Sequence, residues 1–239
     1  LAYGTIYDRA GNVVSGLTQL DTPGFDRLCS GALFEANTFG AGRGLVDTIY
    51  FAGEEASTDF GHPFGGTQWA LDVATGDFWA LPDFGRGSWE NVTQIDTGTD
   101  THVAFLLGDD AEGRALWMYV GEKSIDPGAN FTDRNGLRGG NLYFWTSDTG
   151  ETTADDFNAS VNGPFSSLAG SWVEFTARDA SMSGTPGYDA LGYKSDSLTL
   201  QEGIAAGGFQ FSRPEDLSTN PANGSEVVFA STGRAGFAN

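Results

Sequence analysis

A single cysteine, Cys29, is all the thiol chemistry this chain has. One thiol cannot close an internal disulfide, so no crosslink of that kind staples the fold. Taken alone, Cys29 is a small buried hydrophobe, a nucleophile or a metal ligand. Histidine is nearly as scarce, with His62 and His102 the only two. A zinc site built on imidazole, or a serine triad, would have to use one of them. His102 lies in an alternating apolar run and reads as a strand residue. His62 lies in the turn-rich run Gly61-His62-Pro63-Phe64 and reads as a loop residue. Cations are few as well: 12 Lys and Arg stand against 32 Asp and Glu, a net charge of -20. Such a surface repels phosphate backbones and anionic lipid, which argues against nucleic acid as a partner. Long apolar runs are also missing. Nothing approaches the roughly 18 consecutive apolar residues of a membrane-spanning helix.

What is present is a core-forming β pattern. Of the 239 residues, 39% are hydrophobic and 13% aromatic, enough to bury a core. The 35 glycines suit many tight turns and disfavour long helices. Apolar residues alternate or come in short runs at residues 48–52, 68–73, 101–107, 115–120, 141–145 and 226–230, all of which read as strands. Thr75-Gly76, Asp109-Asp110, Pro127-Gly128, Thr149-Gly150 and Asn223-Gly224 read as the turns between them. Three stretches share a strand–turn–strand grammar: ALDVATGDFWAL, YFWTSDTGETT and STNPANGSEVVFAS. Helix is expected only at 166–169 and 196–203, and 177–187 reads as a Ser/Gly/Pro-rich loop. The class is all-β, read as one domain over 1–239. Hairpins recurring every few tens of residues suggest a β-propeller with about 40–50 residues per blade, hence about five blades. A β-sandwich is the alternative. With Leu1 in place of an initiating Met, the chain reads as a processed product or a fragment.

Carboxylates recur at strand ends. Glu54 and Glu55 close a strand, where adjacent acids are costly unless paired or metal-bound. Glu90 follows Gly87-Ser88-Trp89. Asp109 and Asp110 end another apolar run, although such a pair is most often a hairpin turn. Glu215 and Asp216 follow Arg213-Pro214. If such strand ends converge on a propeller channel, oxygen ligands in number suit calcium, and an added thiolate suits iron. Arg213 is either a surface ion-pair partner or a guanidinium fork for phosphate.

Five segments occur in an order that resembles the PhoX-type alkaline phosphatases and the exported β-propeller proteins related to them: RLCSGAL, TIYFAGEE, GRGSWENV, LLGDDAEGRALWMYVGEK and FSRPEDL. The resemblance covers most of the chain, from about Phe25 to Thr232. The resemblance implies a six-bladed propeller with an axial cluster of iron and calcium, of which this chain holds part. It implies Cys29, Glu54, Glu55, Glu90 and Glu215 as metal ligands and Arg213 as the phosphate-gripping catalytic residue. It also implies an exported enzyme that hydrolyses small phosphomonoesters. Trp89 stands where a histidine is common in that family, and the sequence after Cys29 departs from its pattern. A different class of function fits the same residues: a non-catalytic, calcium-stabilised extracellular scaffold or adhesion protein. Sequons at Asn91, Asn130, Asn158 and Asn223 are compatible with that reading. Hydrolysis of phosphodiesters or lactones is a third possibility on such a fold.

Overall fold

Fourteen strands and three short helices are arranged in four sheets in a computed structural model of the chain, which describes residues 4–14, 25, 27–56, 65–160 and 167–233. His62 and Ser166 lie outside the described residues.

The first sheet contains β1 (Ile6–Tyr7), β2 (Gly31–Phe34), β3 (Ile49–Gly53), β4 (Gln68–Asp72) and β5 (Phe78–Leu81), in the order β1-β5-β4-β3-β2. Strands β2 to β5 form an antiparallel meander, and β1 adds in parallel beside β5. The Thr75-Gly76 turn joins β4 to β5 as the sequence pattern predicts, with Gly76 at φ +80°.

The second sheet contains β6 (Trp89–Ile95), β7 (His102–Asp109), β9 (Trp117–Glu122), β10 (Asn141–Ser147) and β11 (Gly170–Phe175), in the order β11-β10-β9-β7-β6. Two ribbons complete the set. One pairs β8 (Glu112–Arg114) with β12 (Phe211–Ser212), and the other pairs β13 (Pro214–Thr219) with β14 (Val227–Ser231). No sheet closes on itself.

The main core lies between the two large sheets. Phe51, Phe84, Phe105 and Tyr119 stack there, with Phe84 and Tyr119 ring centroids 4.0 Å apart. Each such ring contributes about 1.5–3 kcal/mol on burial. Both sheets are apolar on their other faces too. Trp69 and Phe78 are buried on the far face of the first, against Phe25 and Leu28. Leu106 and Leu116 are buried on the far face of the second, against Leu217 and Phe229 of the β13–β14 ribbon. A two-layer sandwich would leave those outer faces to solvent.

Several expectations need correcting. The described residues hold two five-stranded sheets and two two-stranded ribbons, a less regular set than a run of uniform hairpins. Long connections absorb the difference, because they carry helices that the sequence pattern did not signal. These are α1 (Phe131–Arg134) and α2 (Ala154–Ser160). Polar residues dominate both, so neither has an apolar stripe to read. Asn130 caps α1 by accepting from the Asp133 N–H. The YFWTSDTGETT segment is not a hairpin: β10 pairs with β11 across α2. Residues 167–169 are not helical, whereas the expected helix at 196–203 is α3 (Asp196–Ala205). Asp109-Asp110 is not a hairpin turn either. The Asp110 N–H donates to Ser88 O at 2.8 Å and so extends the β6–β7 pairing.

Residues 177–187 form the loop the sequence suggests, and the segment that continues it is tied down by Asp189. That carboxylate accepts from Arg86 Nη2 at 3.1 Å and lies 3.4 Å from Arg9 Nε. Both arginines are buried. Burial and the neighbouring Arg86 pull the Arg9 pKa down to about 9. No helix among the described residues is long and apolar enough to cross a membrane.

Candidate metal centre

Three backbone features build the site. The first is a bulge in β6. Trp89 pairs with Asp109 and Val92 with Leu107, so Glu90 and Asn91 together oppose Gly108. The second is a matching irregularity in β13. Pro214 pairs with Ser231 and Leu217 with Phe229, so Glu215 and Asp216 oppose Ala230. Each bulge carries one of the sequence-predicted acids, and bulges commonly re-aim side chains at the ends of sheets. The third is Gly108 itself. A Cβ there would lie 2.1 Å from Glu215 O, so only glycine lets β13 cross β7 this closely.

Carboxylate oxygens of Glu90, Asp110 and Glu215 lie within 4.8 Å of one another. Asp110 is the member that sequence reasoning missed. Its signal was visible as an acid at a strand end, but the Asp-Asp pair reads locally as a turn. Adjacent residues at a strand end point to opposite faces. Asp109 is therefore buried, accepting the Ser88 N–H at 2.9 Å, while Asp110 joins the cluster.

Arg213 is the cation of this cluster. It lies between β12 and β13 at φ +56°, in the left-handed region that few non-glycine residues adopt. Its Nε and Nη2 donate to the two oxygens of Asp110 at 2.7 and 3.0 Å. Nη2 also lies 2.8 Å from Glu215 Oε1, which accepts from the Thr232 hydroxyl as well. Burial pushes Asp110 up, but the Arg213 fork outweighs it and holds that carboxyl below its ordinary range. Glu90 has the opposite balance. Burial, then the charges of Glu215 and Asp110, push it up to about 7. Glu215 is also raised, by burial and by Asp110 against the Thr232 bond. Three carboxylates share one guanidinium here, which leaves an excess of negative charge, and three hard oxygen donors fit a hard divalent cation.

The remaining candidates form a neighbouring group. Glu54 is buried and accepts the Arg27 backbone N–H at 2.7 Å. Glu55 is buried and pairs with the Arg27 guanidinium. Cys29 is exposed, which removes the buried-hydrophobe reading. Its hydrogen bond to Glu55, with some burial, raises the thiol pKa, so the metal-free thiol is not an activated nucleophile. The described carboxylate cluster does not include Cys29, Glu54 or Glu55, although the charge of Glu55 is felt at Glu90. Asn91 links the two groups, donating to Ser30 Oγ and to Asp216 Oδ1, each at 3.2 Å. His102 begins β7 and bonds to Thr101 beside it, away from this cluster of acids.

The family model described as alkaline phosphatase PhoX matches residues 79–236. The chain belongs to this family. The matched stretch contains Glu90, Asp110, Arg213 and Glu215, and it leaves out Cys29, Glu54 and Glu55. Among solved structures, the chain is similar to Pseudomonas fluorescens PhoX in complex with vanadate, a transition state analogue, at 21% identity and a TM-score of 0.44. That match covers 66% of this chain and 26% of the other, so the chain spans about a quarter of that protein. No curated protein matches the chain.

Proposed function

We propose that the chain carries part of the active site of an exported, metal-dependent phosphatase acting on small phosphomonoesters. The observation that carries this reading is the cluster itself: three converging carboxylates with an arginine fork among them, inside the segment matched to the family. Glu90, Asp110 and Glu215 would hold the metal, with calcium the best match to an all-oxygen donor set. Cys29, with Glu54 and Glu55 beside it, would hold iron, since a thiolate suits a transition metal. Bound metal would supply Lewis-acid neutralisation of charge developing on the phosphoryl oxygens.

The chain's own groups do the rest. The planar Arg213 fork matches two phosphoryl oxygens bidentately. The bulges at Glu90 and Glu215 fix where the carboxylates point. Trp89 and Pro214, the residues before them, are buried and anchor the two bulges in the fold. The propeller is part of this proposal. Two-faced burial of both large sheets supports blades stacked face to face, and the β13–β14 ribbon against β7 would begin the next blade.

The test is hydrolysis of p-nitrophenyl phosphate by the full-length protein that carries this chain, supplied with calcium and iron. Activity should fall about a hundredfold or more on Arg213→Ala, as for loss of a charge-stabilising donor. Glu90→Gln should raise the metal requirement. Absence of activity with both metals present, or full activity in both variants, overturns the reading. A second reading is favoured by one observation: the described cluster contains neither thiol nor imidazole. Calcium alone could then serve a non-catalytic scaffold. Elemental analysis separates the two, because iron with calcium supports the enzyme and calcium alone supports the scaffold.

A further inference from the structure

We infer that Arg213 is a built-in counter-cation for the carboxylate cluster, displaced when a divalent metal ion enters and then free to turn its fork toward an anionic ligand. This rests on the metal-site reading above. The argument begins with the number of lone pairs. Asp110 commits both oxygens to the guanidinium, at 2.7 and 3.0 Å, and Glu215 commits Oε1 at 2.8 Å. Of the three acids that could hold a metal, two are thus already bound to a cation of the chain. Glu90 makes no ion pair among the described residues. A guanidinium offers five N–H donors in one plane and no acceptor, so each donor turned toward a carboxylate is withheld from phosphate. Without metal, three of the six carboxylate oxygens are therefore committed to Nε and Nη2 of Arg213, and the fork face of the guanidinium is turned toward the acids.

The backbone supports a switching role. Arg213 sits at φ +56° where two short strands meet, between the two-residue β12 and the bulge at Glu215-Asp216. A non-glycine residue in this region is held by its surroundings, and the double ion pair is part of what holds it. Its side chain is 38% exposed, so a released guanidinium has solvent to swing into. Metal and guanidinium then compete for the same oxygens. Metal entry and anion capture become positively coupled, since the first frees the group the second needs.

The experiment is calcium titration by calorimetry of the chelator-stripped chain and of Arg213→Ala and Arg213→Lys. Lysine keeps the charge but cannot form the planar fork. If the fork must be displaced, both variants bind calcium about tenfold more tightly, the size expected for removing competing charge-assisted bonds. A lysine variant with wild-type affinity overturns the inference, because simple repulsion by the charge would then account for the alanine result. Weaker binding by the alanine variant overturns it too. If none of the three binds calcium, the metal-site reading falls and takes this inference with it. A second measurement needs only the wild-type fold. The arginine Nε–H resonance of Arg213, followed by nuclear magnetic resonance during the titration, should move with calcium saturation. A resonance that stays in place while calcium binds overturns the displacement.

Discussion

Buried charge decides much of this molecule one residue at a time, and Asp189 shows it outside the carboxylate cluster. Two buried arginines, Arg9 and Arg86, share its carboxylate, while Arg9 Nη2 and Arg86 Nε have no hydrogen-bond acceptor among the described residues. Removing the carboxylate charge takes the ion pair from both guanidiniums and leaves Arg9 only the weaker pull of Asp83 and Arg86 that of Asp196. Asp189→Asn is expected to destabilise the chain by about 3–5 kcal/mol at neutral pH, measured by urea unfolding. The sign of the pH dependence follows. Burial pushes Asp189 up, but Arg9, the Tyr193 N–H and Arg86 outweigh it and hold the pKa below its ordinary value. The native state therefore binds the proton less readily than the unfolded chain. The stabilisation is present above the unfolded pKa, about 3.9, and is lost as pH falls through the native value. The gap between wild type and Asp189→Asn should be full at pH 6–7 and close in strong acid. A gap independent of pH would mean that the substitution acts through packing alone.

Among the elements, the bulged strands β6 and β13 do what regular strands could not. Gly108 is where they meet, beneath Glu215 and opposite Glu90. Gly108→Ala is expected to cost about 1–3 kcal/mol by overpacking. It should also weaken calcium binding by pushing Glu215 off the cluster, which calorimetry would report; unchanged calcium affinity would separate the crossing from the site. Strands such as β4, β7, β9 and β14 were legible because apolar alternation is a local signal. The Thr75-Gly76 hairpin was legible because its turn residues name it. Asp110 was not, because whether an Asp-Asp pair turns or continues depends on Ser88, which is 22 positions earlier in the chain and pairs with it only in the fold. Helices α1 and α2 were missed because their residues carry no apolar periodicity. Glu90 and Glu215 were legible as candidates through their place in the resembling segments, and the bulges that aim them were not. A bulge is a mismatch between two strands, so neither strand alone contains it.

For the whole molecule, 32 acids against 12 basic residues set up self-repulsion that the fold must withstand. Monovalent salt screens it over a Debye length of about 10 Å at 0.1 M and about 3 Å at 1 M. The unfolding midpoint of the metal-free chain in urea should therefore rise between low salt and 1 M sodium chloride. A falling midpoint would mean that ion pairs such as Arg134–Asp47 and Arg43–Asp96 outweigh the repulsion. The crossing of β13 over Gly108 has a consequence in time as well as in space. Arg213 meets Asp110 across 103 positions of chain, Asn91 meets Asp216 across 125, and Thr93 meets Thr219 across 126. Contacts this remote form only after the costliest loop closures. While the chain is being synthesised, the acids at 90 and 110 emerge long before the strand that completes their cluster. A growing chain therefore carries Glu90 and Asp110 without Arg213 and Glu215 until the β13–β14 ribbon has been made, and only then can the carboxylate cluster close.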